Sequence, residues 1–402
     1  MSFLITFSAG SDSQGVTMKV IIYVLVFSIC NGIGTPLLAL LDAIKAFNSA
    51  STVFHLQIAH TIIFEILDSS NRICQDLTRL AFYPNSLQFM GNVDGFPAYV
   101  EHIFANSLWQ NFLATALVVV LTGTPCQSIS RGARLTNRRW FGLHAAPSNV
   151  WHAAHHGLVN LHRFLGYKRL ITMCENVIPF NSIDLNHLDR TAGFRQDMNP
   201  LVEDGITRPR FAWTSTKVQF LKPWEQIILH FARLPPGWKY NMTVAFPTLR
   251  ACFPFLFWKH IQDPLLLSPS DKATVQACYI YSPQGWRLPT IELWMQFMGL
   301  PSNLHDAFKL SLACTGNIKV FKDTGVDTYA CGIHCYCDNC CQVLQALGES
   351  WNLQVATRFL KDLLWTHMTI REDEDVGQFY DYGSTIPFHI CSGTCNLRRQ
   401  SP

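Results

Sequence analysis

From Val20 to Ile29 the chain has one small polar side chain, Ser28, within a run rich in valine and isoleucine. That uninterrupted apolar pattern predicts a strand covered on both faces, as inside a parallel sheet. Pro36 to Phe47 follows as an apolar helix, with proline where a first helical turn tolerates it. Thr61 to Ile66 predicts a second strand with an acid, Glu65, at its end, and Ser70 to Ala81 has helical spacing. Ala114 to Leu121 predicts another buried strand, running into Thr122-Gly123-Thr124-Pro125-Cys126. Leu170 to Cys174 is a shorter one, followed by Glu175. Strands alternating with helices predict an α/β fold on a doubly wound, mostly parallel sheet. Such sheets bind ligands outside the carboxyl ends of their strands, where every polar or glycine-rich cluster just named falls.

The pattern changes from about Lys217 to Pro289. Prolines cluster at Pro235, Pro236, Pro247, Pro254, Pro264, Pro269 and Pro283, and no helix-strand alternation is visible. This predicts a second, smaller, irregular lobe. Helical patterns return at Pro289 to Met298 and near Gln354 to Leu364, and the tail from Arg371 is acidic and then cysteine-containing. The expected organisation is a leader over 1–19, a main domain over 20–216, a lobe over 217–288, a return to the main domain over 289–365 with a cysteine-rich insertion near 314–341, and a tail over 366–402.

Composition narrows the class. With 49% apolar and 15% charged residues in 402, the chain is not a disordered, collagen-like or coiled-coil sequence. Its 31 basic and 28 acidic residues nearly balance, so a nucleic-acid surface would have to be a local patch. Val20 to Leu41 has the length of a membrane span, but Asn31-Gly32-Ile33-Gly34-Thr35-Pro36 would put polar and helix-breaking residues at mid-bilayer. A buried strand, turn and helix is the expectation, with no membrane partner. The 14 cysteines are uneven, five of them between Cys331 and Cys341, which sets local metal binding against reduced thiols.

Three strand ends carry candidate chemistry. Asn31 to Pro36 is a glycine turn between strand and helix, which lets a cofactor approach the backbone; a plain tight turn is the alternative. Glu65 sits where such folds hydrogen-bond a ribose, or is a capping acid. Pro125-Cys126-Gln127 puts a thiol at a strand end close in sequence to Arg131, Arg134, Arg138 and Arg139, an electropositive setting of the kind a thiolate needs. Cys174-Glu175-Asn176-Val177 adds a carboxylate at the next strand end, able to work with Cys126 on one substrate.

The order glycine turn, acid, Pro-Cys-Gln, Glu-Asn-Val and Arg208-Pro209-Arg210 resembles that of the DNA cytosine-5 methyltransferases. Ser28-Ile29-Cys30-Asn31-Gly32-Ile33 and Arg208-Pro209-Arg210-Phe211-Ala212-Trp213 resemble motifs of the animal de novo branch. Val244 to Arg250 resembles its threonine-rich recognition segment, and Gly348-Glu349-Ser350-Trp351-Asn352 its closing motif; the likeness spans roughly residues 20 to 365. The family prefers phenylalanine at Cys30, aspartate at Asn31 and Asn92, and glycine at Pro36.

The resemblance implies a sheet of the S-adenosylmethionine-dependent methyltransferase type and methyl transfer from that cofactor to C5 of a flipped-out cytosine in double-stranded DNA. On it, Cys126 attacks C6, Glu175 holds the base and protonates N3, and Arg210 with Arg208 stabilises the thiolate and orients the base. Asn31, Gly32, Gly34 and Thr35 would approach the methionine end of the cofactor, Glu65 and Ile66 the ribose and adenine face, Asn92 and Val93 the adenine edge, and Ser350 and Trp351 would close the pocket. Arg131, Arg134, Arg138 and Arg139, with Thr248 and Arg250, are the expected DNA contacts. Two alternatives stand beside this: a tRNA cytosine-5 methyltransferase on the same fold, and a non-catalytic methyltransferase-like partner. A homo-oligomer or a methyltransferase-like partner chain is a further expectation, and localisation is nuclear in a eukaryote, otherwise cytoplasmic.

His144, His152, His155, His156 and His162 fall on a helical stretch, where His152 and His156 at i, i+4 have metal-ligand spacing but no third ligand, so a solvated or DNA-facing helix is preferred. Cys337 and Cys340 have the two-residue gap that lets both thiolates meet one structural Zn²⁺, with Cys331 or Cys335 as further ligands; reduced thiols are the alternative.

Overall fold

The computed structural model describes residues 19–84, 87–125, 129, 142–144, 148–198, 206–207, 210–218, 236–240, 246–247, 265, 267–283, 285–289, 291–304, 344 and 346–369. In chain order the first half comprises β1 (Val20–Ile29), α1 (Thr35–Ala50), β2 (Phe54–Phe64), α2 (Asp68–Leu80), β3 (Leu87–Phe89), α3 (Phe96–Ala105), α4 (Ser107–Leu113), β4 (Leu117–Thr122), α5 (Val150–Leu165) and β5 (Leu170–Val177). The second half adds α6 (Ser182–Thr191), β6 (Phe194–Asp197), β7 (Ile206–Thr207), β8 (Arg210–Thr214), β9 (Lys239–Tyr240), β10 (Phe246–Pro247), α7 (Pro269–Ala277), β11 (Ile280–Ser282), β12 (Gly285–Arg287), α8 (Ile291–Phe297) and α9 (Leu353–Thr369).

The apolar run of β1 is central in a seven-stranded sheet of order β3-β2-β1-β4-β5-β8-β6. The first five of these strands are parallel, and β8 runs antiparallel to both β5 and β6. The sheet is mainly parallel, the fold mixed α/β, compatible with a Rossmann-like architecture. Its strands read as unbroken apolar runs because each face has its own core. Ile22, Val24 and Val26 of β1 join a cluster with α1, α2, α8 and α9, while Leu25, Phe27 and Ile29 join another with α3, α5 and α6. β4 divides in the same way, Val119 and Leu121 to the first cluster and Val118 and Val120 to the second.

Helix α1 is buried along most of its length because it packs against α9 as well as the sheet, with the Phe47 and Trp365 rings 5.7 Å apart. The expected strand-turn-helix at 20–47 is therefore present, and among the described residues no helix is long and apolar enough to cross a membrane.

Several boundaries differ from the sequence expectation. β2 begins at Phe54, seven residues before the predicted start at Thr61, since Leu56 and Ile58 are buried in alternation with polar neighbours. β5 continues to Val177, so Glu175 lies inside the strand rather than after it. A helix, α7, stands in the proline-rich region, capped by the Ser268 side chain accepting from the Asp271 amide at 3.2 Å, with Pro269 in its first turn. Beside it β12, β11 and β9 form a small separate sheet. His144 precedes α5, and His152, His155, His156 and His162 lie on it.

Candidate functional site

The strand order reverses direction between β1 and β4, the switch point at which open parallel sheets leave a crevice. The two glycine-containing segments singled out in the sequence leave the sheet on either side of it. After β1, Cys30, Gly32 and Gly34 all take positive φ, and Gly34 caps α1 from the left-handed region. After β4, the Gly123 amide donates to the Ile29 carbonyl at 3.0 Å, which draws the two strand ends together.

Glu65 closes one side of the crevice. Its carboxylate accepts from the Gly32 amide at 3.2 Å and the Leu67 amide at 3.1 Å. Burial raises its pKa above the ordinary carboxylate value, the backbone N–H groups oppose that rise, and Glu349 adds to it. Ile66 beside it is 67% exposed, an uncovered apolar face at the rim. The Asn92 side chain serves as a local cap, accepting from the Asp94 amide at 3.2 Å and donating to its carboxylate at 2.8 Å, while Val93 is buried below. Asp94, absent from the sequence-based candidates, is the charged group there. It and Glu65 both add to the effect of burial that pushes the Cys30 thiol up to about 12.

The closing segment returns from far along the chain. The Thr35 hydroxyl accepts from the Trp351 amide at 3.1 Å, and Ser350 donates to the Ala346 carbonyl while facing Gly32. Asn31 is fastened through its amide nitrogen, which donates to Ser28 Oγ at 3.0 Å and the Leu121 carbonyl at 2.8 Å. An aspartate could not donate to that carbonyl, which accounts for asparagine here. Among the buried atoms without a hydrogen-bond partner in the described residues are the acceptor Asn31 Oδ1 and the donor Trp351 Nε1. They converge on Gly123, where a Cβ would stand 2.8 Å from the first and 2.9 Å from the second. Both atoms pack closely against Gly123, a position where no side chain would fit between them.

The second half of the site is built on β4, β5 and β8. Asn176, buried, donates to the Thr124 carbonyl at 3.2 Å and hydroxyl at 3.1 Å, and the Ser148 hydroxyl donates to the Pro125 carbonyl at 2.8 Å. The chain is thus held up to the residue before Cys126. Next to Asn176, Glu175 Oε1 lies 2.9 Å from Arg210 Nε, with both side chains mostly buried. Antiparallel pairing of β5 with β8 sets this ion pair, Val177 standing opposite Arg210 and Glu175 opposite Ala212. Cys174, by contrast, points into the core, where burial raises its pKa and keeps it a thiol.

The structure therefore gathers Asn31, Gly32, Thr35, Glu65, Ser350 and Trp351 at the switch point, turns Gly34 towards Cys74 of α2, leaves Ile66 exposed beside Glu65, and pairs Glu175 with Arg210. Cys126, Arg208, Arg131, Arg134, Arg138, Arg139, Thr248, Arg250, Cys331, Cys335, Cys337 and Cys340 lie outside the described residues. Among the described residues no group of three or more His, Cys, Asp or Glu side chains is placed to hold a metal ion, His152 and His156 included. Sequence reasoning passed over Asp94, Ser148 and the fastening role of Asn176, because each depends on a partner set by the folded backbone.

In comparisons with known proteins, no family model matches the chain and no curated protein matches it. The arrangement is that of a mixed α/β protein with a glycine turn and the acid Glu65 gathered at the switch point of its mainly parallel sheet.

Proposed function

We propose that the protein is a DNA (cytosine-5) methyltransferase that uses S-adenosylmethionine. One observation carries this reading: at the switch point Glu65 is held by the Gly32 amide beside exposed Ile66, and the Glu175–Arg210 ion pair lies on the neighbouring strands β5 and β8.

The chemistry beside the glycine turn fits that cofactor. Glu65 and Asp94 favour a cation, and exposed Ile66 offers an apolar face to a flat base. Each Glu65 oxygen has a lone pair beyond its backbone hydrogen bond, available to ribose hydroxyls. The bound cofactor supplies an electrophilic methyl group.

The remaining work belongs to the chain. With the cytosine outside the duplex stack, the Cys126 thiolate adds to C6 and electron density moves to C5. Glu175, oriented by Arg210, holds the base edge and delivers a proton to N3. C5 would take the methyl group while the C–S bonding pair stays with the cofactor sulfur; solvent then takes the C5 proton as the thiolate leaves, and N3 returns its proton to Glu175, restoring the aromatic ring. Arg131, Arg134, Arg138 and Arg139 supply phosphate contacts near the nucleophile. A DNA substrate implies work in the nucleus of a eukaryote or the cytoplasm of a bacterium.

Radiolabelled S-adenosylmethionine offered with duplex DNA or with tRNA tests the reading. Label in DNA is the expected result. Label in tRNA alone would transfer the proposal to the RNA enzyme, and cofactor binding without transfer to either would replace it with the non-catalytic partner.

A further inference from the structure

We propose that Asp184, at the start of α6, is a positioning residue that fastens the far end of the segment beginning at Cys126. The link to catalysis rests on the methyltransferase reading; the fastening itself does not. Asp184 is 4% exposed, and such a carboxylate is costly to bury unless its oxygens are satisfied. Oδ1 accepts from the Leu143 amide at 3.1 Å, and Oδ2 accepts from Asn181 Nδ2 at 3.0 Å. The Asn181 side chain returns the contact by accepting from the Asp184 amide, which fixes the carboxylate relative to the helix start.

Gly142 makes room for this contact. It has φ +71°, and a Cβ there would lie 2.9 Å and 3.0 Å from the two carboxylate oxygens. The same turn grips the near end as well, since the Phe180 amide donates to the Ile129 carbonyl at 2.8 Å. Phe180, Asn181 and Asp184 all fall within seven residues after Val177, and Ile129 and Leu143 are both buried. One short stretch of chain thereby ties Ile129 and Leu143, which flank the arginine-rich segment, to the strand that carries Glu175. A helix-capping acid alone would not need the Leu143 amide or a glycine at position 142.

The test compares Asp184→Ala, Asp184→Asn and Gly142→Ala in the full chain with three readouts. These are the rate of tryptic cleavage at Arg131, Arg134, Arg138 and Arg139, the rate of Cys126 alkylation read by mass spectrometry, and methyl-transfer kinetics. Asp184→Ala and Gly142→Ala are expected to raise cleavage and alkylation by about tenfold, the factor a 1.4 kcal/mol loss gives. They are also expected to lower kcat by on the order of 10- to 100-fold with KM for S-adenosylmethionine unchanged. Asp184→Asn keeps an oxygen for the Leu143 amide but turns a second donor on Asn181 Nδ2, so its kcat is expected to lie between those of wild type and Asp184→Ala. Unchanged cleavage and alkylation in both of the first two variants would overturn the proposal, as would an Asn variant as impaired as the Ala variant. Raised cleavage in a protein whose wild type transfers no methyl group would leave Asp184 in its role and remove the methyltransferase reading. If Asp184→Ala fails to fold, Gly142→Ala and Asp184→Asn decide the matter.

Discussion

Replacing Gly123 by alanine puts a methyl group at the point on which Asn31 Oδ1 and Trp351 Nε1 converge. The new Cβ would stand 2.8 Å from the first, 2.9 Å from the second and 3.1 Å from the Cys30 carbonyl oxygen. None of these neighbours gives way cheaply. Asn31 is held by two hydrogen bonds through its amide nitrogen, Trp351 is a buried ring, and the third atom is backbone. Overpacking of this kind costs about 1–3 kcal/mol of stability. To admit the methyl group, Asn31 and Trp351 must move, which displaces the turn after β1 and is expected to weaken cofactor binding by about 1.4 kcal/mol or more, at least tenfold in affinity. Calorimetric titration with S-adenosylmethionine measures the second effect and urea unfolding the first. Gly157→Ala is the control: its methyl group would strike Phe96 where α3 and α5 pack, so it costs stability without touching the crevice. If Gly123→Ala bound the cofactor within about threefold of wild type, or Gly157→Ala lost as much affinity, the crevice would not be the cofactor site.

Three further outcomes follow from the electrostatics and the cysteines. Burial raises the Glu65 pKa, so without ligand the native state takes up a proton more readily than the unfolded chain, and stability falls as pH rises through the window above 4.5. Cofactor affinity should run the other way, weakening as pH drops through that window, and an affinity that stays flat down to the ordinary carboxylate value of 4.5 would exclude the Glu65 carboxylate from binding. His155 is lowered to about 4 by burial and then by His187, His152 and His156, so its contribution is complete above 6.5 and is lost as pH falls towards 4, a total of roughly 3 kcal/mol. His155→Leu should flatten the fall in urea-unfolding stability between about pH 7 and 5, and an unaltered slope would refute this. Metal analysis of protein purified without chelator decides between a structural zinc on Cys331, Cys335, Cys337 and Cys340 and reduced thiols: one equivalent, with loss of thermal stability on chelation, gives the first, and less than half an equivalent with no such loss gives the second.

What could be read in the sequence was what the sheet buries on both faces. β1 matches its predicted span because each of its residues has apolar surroundings regardless of which way it points, and β4 and β5 were found for the same reason. The front half of β2 was overlooked: His55, Gln57 and His60 interrupt the apolar run, and only its alternation marks it as strand. α6 is polar and depends on Asn181 and Asp184 for its start, and β8 forms through antiparallel pairing with β5 and β6, a long-range event that no local pattern announces. The site shows the same division. The glycine turn, Glu65 and the Glu175 strand end were legible as motifs, yet Asn92 turned out to be a cap for Asp94. The convergence of Trp351 on Gly123 joins residues more than two hundred positions apart and could only come from the fold.

The most direct test of the central claim is covalent trapping on duplex DNA containing 5-fluorocytosine in the presence of S-adenosylmethionine. Fluorine at C5 cannot leave as a proton does, so a thiol that has added to C6 stays attached after methyl transfer. The account predicts a denaturation-resistant protein–DNA adduct that requires the cofactor, maps by mass spectrometry to Cys126, and disappears in Cys126→Ser. Absence of any adduct from protein that binds both cofactor and DNA, or an adduct that persists in Cys126→Ser, would contradict it.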